Sequence, residues 1–368
     1  MSKILFVVNN PDFFLSHRVR IALAAKDAGY DVHVATMPGK SVNQIVAYGF
    51  THHEITMSRS GTNPWGEAKT LWSIYRLFKQ LKPDLVHLVT IKPVLYGGIA
   101  ARLAGVPAAV YAISGLGFIF TRQKKRDILK TVVTALYRFA LGHGNSRVIF
   151  QNADDCAILR NIHAVRQEQV VMIRGAGVDL QEFQASPEPA MPITITMAAR
   201  LLKDKGVMEF VEAARCDKDN KYRWQLAGTI DLGNPASLTE QEYQAIGQYV
   251  ACLGERKDIA QLYAQSHIIV LPSYREGIPK SLLEAAAAGR PIVTTDVPGC
   301  RDTIIPDKSG LLVPVKDGEA IFKAVQRLAN DVALRSAMGK EGRALAEREF
   351  AMPIIIDKHL EVYRDLCQ

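Results

Sequence analysis

The feature that most constrains the fold of this chain is a regular alternation of short apolar runs with amphipathic segments. Strands that alternate with helices in this way predict a parallel sheet with helices on its faces. In the first half the predicted strands are Ile4–Val8, Asp31–Thr36, Leu85–Val89, Val148–Phe150 and Val170–Ile173, and the predicted helices are His17–Ala28, Trp65–Leu81, Val94–Leu103 and Ala153–Asn161.

The same alternation returns after residues 184–192, a proline-rich stretch that predicts a linker. The predicted strands are Ile193–Ala198, Trp224–Leu226, Ile268–Leu271 and Pro291–Thr294, and the predicted helices are Gly206–Ala214, Ile259–Gln265, Lys280–Ala288 and Ala320–Ala329. A chain of 368 residues exceeds one ordinary core. We therefore predict two doubly wound, Rossmann-like α/β domains facing across a cleft, residues 1–184 and 193–350. In residues 351–368, a last helix is expected to pack back on the first domain.

Composition excludes several classes of protein. Hydrophobic residues make up 48% and charged residues 22%, which is typical of a globular chain and not of a disordered one, a collagen or a coiled coil. The five cysteines form no C-x-x-C pair, so neither a zinc site nor a disulfide framework is predicted, and a reducing cytoplasm is expected. Because Met1 leads directly into a strand-like run, no signal peptide is expected.

Residues 103–120 carry no charge over 18 positions, the lower limit for a membrane-spanning helix. Pro107, Gly115 and Gly117 interrupt this stretch. A helix end, a strand buried on both faces and a glycine loop account for the pattern better, because buried parallel strands are continuous apolar runs. A spanning helix is the less favoured alternative.

Positive charge is concentrated in the first half. Residues 1–185 carry a net charge of +10, whereas residues 186–368 carry −2. The densest basic segment leads into an apolar stripe at helical spacing, which predicts contact with an anionic membrane surface. Its basic residues are Arg122, Lys124, Lys125, Arg126 and Lys130. An ordinary surface helix remains the alternative, and no motif for binding nucleic acid is present.

The segment Pro272–Ala285 contains the strongest chemical signal. Glu276 and Glu284 are eight residues apart, and Pro279 between them predicts the first turn of a helix. Glu276 is then expected in the loop, and Glu284 on the inner side of the second turn. Helix amides bind anions and carboxylates accept hydrogen bonds from sugar hydroxyls, so this segment predicts a sugar-nucleotide site. Its other expected donor-binding residues are Gly277, Ile278, Pro279, Lys280 and Ser281.

This segment resembles the E-x7-E signature of the family 4 retaining glycosyltransferases, which have the GT-B fold. The resemblance continues through residues 287–294, 296–299 and 197–206, and it covers nearly the whole chain. It implies that Arg200 and Lys205 hold the donor diphosphate and that Glu276, Lys205 and Arg200 act in catalysis. Positive charge is needed where the charge of a departing nucleoside diphosphate develops.

The resemblance is strongest to the subgroup of N-acetylgalactosaminyltransferases that act on undecaprenyl-diphosphate-linked bacillosamine. Capsule and O-antigen transferases have similar segments. Those segments are Ser58–Pro64, Gly115–Gly117, Gly177–Asp179 and Leu271–Tyr274. The resemblance implies a UDP-sugar donor, a polyprenyl-diphosphate-linked acceptor and no further cofactor.

In the first half the agreement with the family is uneven. Many members have a Gly-Gly loop after the first strand, but residues 9–18 contain no glycine and are interpreted as a loop in which Ser16, His17 or Arg18 acts instead. Many members also have a histidine before the later glycine loop, where this chain has Ser114. Ser114, Gly115 and Gly117 complete the predicted acceptor-binding set. His87, on a strand, is predicted to be a packed core residue.

Competing motifs are weak. Asp217-Lys-Asp219 matches D-x-D, the metal motif of the other glycosyltransferase fold, but its polar neighbours predict a solvated turn. No metal is expected if Arg200 and Lys205 neutralise the leaving group. Neither G-x-G-x-x-G nor a P-loop motif is present, which argues against dehydrogenases and P-loop enzymes.

We therefore expect a retaining glycosyltransferase, cytoplasmic and peripheral on the inner face of the cell membrane. It would transfer a sugar, N-acetylgalactosamine being the favoured one, to a lipid-linked saccharide. Two alternatives stay open: a non-transferring GT-B enzyme such as a UDP-N-acetylglucosamine 2-epimerase, and a non-catalytic protein that binds sugar nucleotides.

Overall fold

The computed structural model describes residues 1–57, 64–116, 128–231 and 233–367 of the chain, and for residues 128–130 only the backbone. These residues form two compact units. The first comprises Met1–Ala176 together with Pro353–Gln368, and the second comprises Gly177–Met352. The division thus falls before the proline-rich stretch. Residues 177–192 belong with the second unit, where Phe183 joins its hydrophobic core and Glu188 binds Arg335.

The first unit is built on a seven-stranded parallel sheet in the order β3-β2-β1-β4-β5-β6-β7. Its strands are β1 (Lys3–Val8), β2 (Asp31–Thr36), β3 (Thr51–Glu54), β4 (Leu85–Val89), β5 (Ala108–Ile113), β6 (Ser146–Phe150) and β7 (Val170–Met172). Its helices are α1 (Pro11–His17), α2 (Val19–Asp27), α3 (Val42–Ala47), α4 (Pro64–Leu81), α5 (Gly98–Ala104), α6 (Ile128–Ala140), α7 (Ala153–Asn161) and α14 (Met352–Leu366).

The strands in the middle of this sheet are fully buried and almost entirely apolar, as parallel strands covered on both faces must be. Two hydrophobic clusters lie on its two faces. One includes residues of α4, α5 and α6, and the other includes residues of α1, α2 and α14. The C-terminal helix α14 therefore covers part of the first sheet, through Ile355, Val362 and Tyr363. The strand β5 accounts for the uncharged stretch that begins at residue 103.

The second unit has a six-stranded parallel sheet in the order β10-β9-β8-β11-β12-β13. Its strands are β8 (Thr194–Ala198), β9 (Arg223–Ala227), β10 (Ala251–Gly254), β11 (Ile268–Leu271), β12 (Ile292–Thr295) and β13 (Gly310–Val313). Its helices are α8 (Val207–Cys216), α9 (Glu240–Ile246), α10 (Ile259–Ala264), α11 (Lys280–Ala287), α12 (Gly318–Asn330) and α13 (Val332–Leu345).

In each sheet the chain runs outward in one direction from its first strand and then returns to add strands on the other side. The reversal lies between β1 and β4 in the first sheet and between β8 and β11 in the second. At such a point the loops that leave the carboxyl ends of the two strands diverge, and the crevice between them is where open α/β sheets bind ligands. The predicted doubly wound α/β architecture is confirmed.

The interpretation of residues 9–18 as a loop is wrong. Asn10 accepts a hydrogen bond from the amide of Asp12, and Pro11 occupies the first helical position. Together these begin the helix α1 immediately after β1. Among the described residues, no helix has both the length and the apolar character needed to cross a membrane.

Candidate active site

Three loops meet at the carboxyl edge of the second sheet. They follow β8, β11 and β12, and backbone hydrogen bonds join them: the Tyr274 amide donates to the Asp204 carbonyl at 2.9 Å, and the Glu276 amide donates to the Pro298 carbonyl at 3.2 Å. The predicted donor-site residues thus converge on the reversal point of this sheet.

Lys205 and Glu276 form an ion pair at the centre of these loops. The Lys205 ammonium donates to Oε1 of Glu276, and the Ser273 hydroxyl donates to the same oxygen at 2.7 Å. The Lys205 side chain is 19% exposed and that of Glu276 is 12% exposed, so both can reach a ligand while remaining largely shielded from water. A positive and a negative group therefore lie side by side, suited to a phosphate and to sugar hydroxyls respectively.

Two glycines allow the loops to approach so closely. Gly206 has φ +75°, and a Cβ there would lie 2.2 Å from the Pro272 carbonyl oxygen. Gly299 has φ +83°, and its Cβ would lie 2.3 Å from the Gly277 oxygen. Since real Cβ atoms do not approach oxygen this closely, any side chain at either position would push the loops apart. The position of Glu276 depends on both glycines.

Arg200 lies at the same edge but is bound differently. Its guanidinium donates to Oδ2 of Asp231 at 2.9 Å, and its side chain is 55% exposed. Asp231 follows β9, and the sequence analysis did not single it out. An exposed arginine with one carboxylate partner has further N–H groups that can bind a phosphate. The role of Arg200 in holding the diphosphate stays a prediction.

Helix α11 begins at Lys280, as predicted. Pro279 has the extended backbone of an N-cap, and Lys280 is the first helical residue. Glu284 is buried, as expected, and Lys280 lies 3.2 Å from its carboxylate. Burial raises the pKa of Glu284, against the opposing effect of Lys280. Of the other predicted donor residues, Gly277, Ile278 and Pro279 are buried, whereas Lys280 and Ser281 are partly exposed.

Tyr274 and Glu209 are functional candidates that the sequence analysis missed. The Tyr274 hydroxyl donates to Oε1 of Glu209 at 2.6 Å, and the Lys316 ammonium lies 5.3 Å from the tyrosine ring centre. Burial, followed by the bond to Glu209, raises the pKa of Tyr274. The only available sequence signal was a glutamate on the buried face of a predicted helix, where a charge needs a partner.

The predicted acceptor residues Ser16 and His17 are held by contacts within α1. The Ser16 hydroxyl donates to the Asp12 carbonyl at 2.7 Å, and the His17 ring stacks on Phe13. Both lie at the end of α1, about 10 Å of helix from the edge of the sheet. Arg18 is only 3% exposed, and burial lowers its pKa to about 10. Acceptor binding by these residues stays a prediction, and the burial of Arg18 argues against a direct contact.

Ser114 and Gly115 follow β5 directly, and both are half-buried. Several of the predicted residues lie outside the described part of the chain: Gly117, the Ser58-to-Asn63 part of the first resemblance segment, and the basic residues Arg122, Lys124, Lys125 and Arg126. Lys130 lies in the first turn of α6, and its side chain is likewise outside the described part. His87 is fully buried, with Nδ1 2.6 Å from the Tyr363 hydroxyl, so its prediction as a core residue is confirmed.

A second cluster, unforeseen from the sequence, lies at the reversal point of the first sheet. The Lys92 ammonium donates to Oε1 of Glu67 at 2.6 Å, and the two side chains are 19% and 15% exposed. Thr90, between β4 and Lys92, has φ +75°, which is strained for a β-branched residue. Thr90 Oγ1 and Glu67 Oε2 are buried and have no hydrogen-bond partner among the described residues.

The backbone beside this cluster is also unusual. Residues Pro93–Gly97 form a π-helical turn before α5, a feature that is frequent at functional sites. Burial and the Glu67 carboxylate raise the pKa of Tyr96 within this turn. Strain and unsatisfied oxygens together identify this edge as the candidate ligand site of the first unit.

The D-x-D segment is a turn, as predicted, but Asp217 is not solvated. Its carboxylate accepts hydrogen bonds from the amides of Lys221 and Tyr222 and from the Trp224 indole. Asp219 is exposed and pairs with Lys221. Within the described part of the chain, no group of three or more histidine, cysteine or acidic side chains is placed to hold a metal ion.

Comparison with known families agrees with this geometry. Residues 3–152 match the family model "Glycosyl transferase 4-like", and residues 179–345 match "Glycosyl transferases group 1". Between them the two models cover strands β1 to β6 of the first sheet and all six strands of the second. The chain belongs to the group 1, GT4-like glycosyltransferases, and it is a glycosyltransferase enzyme.

Several curated relatives align along most of the chain. An N,N'-diacetylbacillosaminyl-diphospho-undecaprenol alpha-1,3-N-acetylgalactosaminyltransferase of Campylobacter jejuni is 29% identical over 95% of this chain and 97% of its own. A UDP-Gal:alpha-D-GlcNAc-diphosphoundecaprenol alpha-1,3-galactosyltransferase of Escherichia coli is 28% identical over 82% and 80%. The capsular polysaccharide glycosyltransferase CapM of Staphylococcus aureus is 27% identical over 90% and 89%.

Solved structures confirm the GT-B fold. HepE of Anabaena, in complex with UDP and glucose, superposes with a TM-score of 0.77 at 19% identity, covering 99% of this chain and 100% of that one. Sucrose-phosphate synthase of Thermosynechococcus elongatus superposes with a TM-score of 0.79 at 19% identity, covering 100% and 99%. The resemblance to GT-B glycosyltransferases stated from the sequence is confirmed.

Proposed function

We propose that this enzyme transfers N-acetylgalactosamine from UDP-N-acetylgalactosamine to an undecaprenyl-diphosphate-linked saccharide, with retention of the anomeric configuration. The names of the Campylobacter jejuni and Escherichia coli relatives support the acceptor class, and the former supports the sugar. The observation that carries the proposal is the Lys205–Glu276 pair at the reversal point of the second sheet.

In the proposed reaction the donor lies at the carboxyl edge of the second sheet. The bond between C1 of the sugar and the β-phosphate oxygen breaks, while the acceptor hydroxyl oxygen bonds to C1 on the same face. The acceptor proton passes to the departing β-phosphate oxygen, and UDP leaves. Lys205, assisted by Arg200, stabilises the negative charge that develops on the diphosphate. Glu276 holds the sugar hydroxyls, and Glu284 accepts from the ribose diol.

The acceptor is proposed to bind at the corresponding edge of the first sheet. Glu67, held by Lys92, has a buried carboxylate oxygen without a partner among the described residues. Such an oxygen can accept a hydrogen bond from an acceptor sugar hydroxyl. Ser114 and Gly115, at the end of β5, lie on the same edge of that sheet.

We propose that the reaction needs no metal ion. Two cations at the donor edge, Arg200 and Lys205, can neutralise the diphosphate, and Asp217 of the D-x-D segment is engaged by backbone amides. Excess EDTA should therefore leave the rate almost unchanged. Loss of activity that Mg²⁺ or Mn²⁺ restores would refute metal independence.

A lipid-linked acceptor lies in a membrane, so we also propose that the enzyme is cytoplasmic and peripheral on the inner face of the cell membrane. The basic segment with Arg122, Lys124, Lys125, Arg126 and Lys130 supports contact with anionic lipid. Changing Lys124, Lys125 and Arg126 to Glu should weaken flotation with anionic liposomes. Flotation equal to that of the parent would exclude this segment from the membrane contact.

The function is tested by a screen of UDP-sugars with UDP release as the readout, each with and without short polyprenyl-diphosphate-linked saccharides. Acceptor-dependent UDP release, largest with UDP-N-acetylgalactosamine, is the expected result. Epimerised UDP-sugar without acceptor would identify an epimerase instead. UDP binding without any product would identify a sugar-nucleotide-binding protein.

A further inference from the structure

Helix α4 in the first unit has an unusual outer face. Its inner face is buried through Thr70, Ile74 and Phe78. The residues that point away from the core recur three or four positions apart and therefore form one stripe about 20 Å long. They alternate aromatic rings with cations: Trp65, Lys69, Trp72, Arg76 and Lys79.

The two tryptophans of this stripe are exposed to an extent that a water-facing surface does not explain. Trp65 is 81% exposed and Trp72 is 64% exposed, and Trp72 lies 5.6 Å from the ring of Tyr75. The third tryptophan of the chain, Trp224, is only 5% exposed. Tryptophan combines a large apolar surface with one N–H donor, and it is enriched at membrane–water interfaces.

The cations of the stripe are not neutralised by neighbouring carboxylates. Within the described ranges, no ion pair joins Lys69, Arg76 or Lys79 to an acidic side chain, although α4 does contain one glutamate. That glutamate, Glu67, is turned inward to Lys92. The outer face of α4 is therefore positively charged along its length.

A groove of about 600 Å³ runs beside the stripe, between β3 and α4. Its walls include His52, His53, Lys69 and Arg76. Burial lowers the pKa of both histidines, so they are neutral at pH 7. Glu54 also lines the groove, whose net positive charge therefore comes from Lys69 and Arg76 against one carboxylate. Cations and neutral hydrogen-bonding groups around an open groove fit a phosphate headgroup.

We propose that the outer face of α4 is a membrane-docking surface that lies flat on an anionic bilayer, with Trp65 and Trp72 in the interfacial region and Lys69, Arg76 and Lys79 against lipid phosphates. This surface is distinct from the basic segment at residues 122–130. The inference rests on the proposed function because an enzyme that acts on a lipid-linked acceptor must bind the membrane that holds it. Its charges and exposed rings are observed independently of that function.

The first test uses the tryptophans themselves as probes. The full chain is mixed with vesicles of phosphatidylglycerol and phosphatidylcholine that carry bromine on their acyl chains, which quenches nearby tryptophan fluorescence. The parent should be quenched and blue-shifted. A Trp65→Phe/Trp72→Phe variant, in which only the buried Trp224 remains, should show almost no quenching. Equal quenching of parent and variant, or no quenching of the parent, overturns the proposal.

The second test measures the charges. Each basic residue near an anionic surface contributes about fivefold to binding at low salt. Changing Lys69, Arg76 and Lys79 to Gln should therefore weaken vesicle binding on the order of 100-fold. The matched control changes three exposed lysines of the second unit, Lys218, Lys257 and Lys308, and should bind like the parent. Equal binding by the two triple variants overturns the proposal.

Two further measurements separate this inference from its alternatives. Transfer to a short-chain, water-soluble acceptor should be unchanged in the α4 variants, and failure of that reaction in the parent would refute the proposed function and not the docking surface. Single-stranded nucleic acid is the other ligand that interleaved rings and cations can bind. Quenching by an oligonucleotide, but not by vesicles, would overturn the membrane assignment.

Discussion

The two units use the same sheet topology, yet they build their ligand edges in opposite ways. In the second unit three loops are joined by backbone hydrogen bonds, and two glycines let them touch around Lys205 and Glu276. In the first unit the described edge carries the Glu67–Lys92 ion pair between helices and the strained Thr90. The two edges thus differ in what holds their charged side chains: backbone-bonded loops in the second unit, and an ion pair between helices in the first.

This difference has a chemical reason. The proposed donor brings one constant part, the UDP group, so its site can be rigid and can be encoded in short stretches of sequence. Acceptors differ among relatives, as the names of the Campylobacter jejuni and Escherichia coli enzymes show. A site for a variable ligand is more easily built from side chains on separate helices and loops, which can change singly.

The largest expected effect is in the second unit. Lys205→Ala should lower kcat/KM for the UDP-sugar about 100-fold or more, the scale of losing one group that stabilises developing charge. Glu276→Ala should lower turnover with the sugar nucleotide, and Glu284→Ala should mainly weaken UDP binding. Steady-state kinetics with varied donor would measure all three.

Lys203 provides the matched control for this prediction. Lys203 lies two residues from Lys205 on the same turn, but it is exposed and its partner is the partly exposed Glu242. Lys203→Ala should stay within about threefold of the parent, since exposed ion pairs contribute little. If Lys205→Ala and Lys203→Ala had equal activity, the donor site would be assigned to the wrong lysine.

A smaller effect is expected from the packing of the donor loops. Gly299→Ala would place a Cβ against the oxygens of Glu276 and Gly277, so the loop must shift. We expect about a tenfold loss of kcat/KM and a loss of about 1–3 kcal/mol in the free energy of unfolding. Gly105→Ala is the control: Gly105 also has positive φ, but its Cβ would meet nothing within 4 Å. A mild effect at Gly299 would contradict the tight packing.

Glu67→Gln probes the first unit. It removes the carboxylate charge while keeping the shape, so the KM for the acceptor should rise about tenfold, the scale of one hydrogen bond to a charged group. The slow hydrolysis of UDP-sugar without acceptor should not change. A rise in the KM for the donor with no change for the acceptor would reverse the roles of the two edges.

The smallest expected effect is on the free energy of unfolding and not on the rate of the reaction. His359 on α14 and His87 on β4 are buried near Arg18 and the Tyr363 hydroxyl. Burial, and then the Arg18 charge, lowers the pKa of His359 to about 3, and burial also lowers that of His87. An unfolded histidine titrates near 6.5. The contribution of the neutral, buried histidines to the free energy of unfolding is therefore complete above pH 6.5, and it is lost as the pH falls below that value.

His359 alone should account for about 2 kcal/mol of lost stability between pH 6.5 and pH 5. Urea unfolding at both pH values measures this loss, and the His359→Gln variant should show a smaller pH dependence whatever its stability at pH 7. An identical slope in the parent and the variant would contradict the burial of His359 as the cause.

The same contrast explains what could be predicted from sequence. Central strands such as β4, β5 and β11 were predicted because strands buried on both faces are apolar throughout. The strands β3 and β10 were missed, since each is a four-residue strand at a sheet edge and β3 has only polar side chains. The strand β13 was missed because it is short and begins with a glycine.

The candidate sites follow this rule as well. Glu276, Glu284 and Lys205 lie in dense local patterns, so local sequence was enough to predict them. Glu67 and Lys92 are 25 residues apart on separate helical segments, and no short motif links them. Helix α1 was misjudged because the capping role of Asn10 and the helix-starting role of Pro11 were overlooked. Long-range contacts and single caps are the information that a local pattern does not contain.

The most direct test of the account follows the sugar itself. UDP-N-acetylgalactosamine labelled in the sugar is incubated with undecaprenyl-diphosphate-linked saccharide, and the lipid is extracted and analysed by NMR. Label should enter the lipid fraction in an α-linkage, about 100-fold or more slowly with Lys205→Ala and within about threefold of the parent rate with Lys203→Ala. Label that remains in the aqueous phase with every UDP-sugar tried, although UDP binds, would contradict the account.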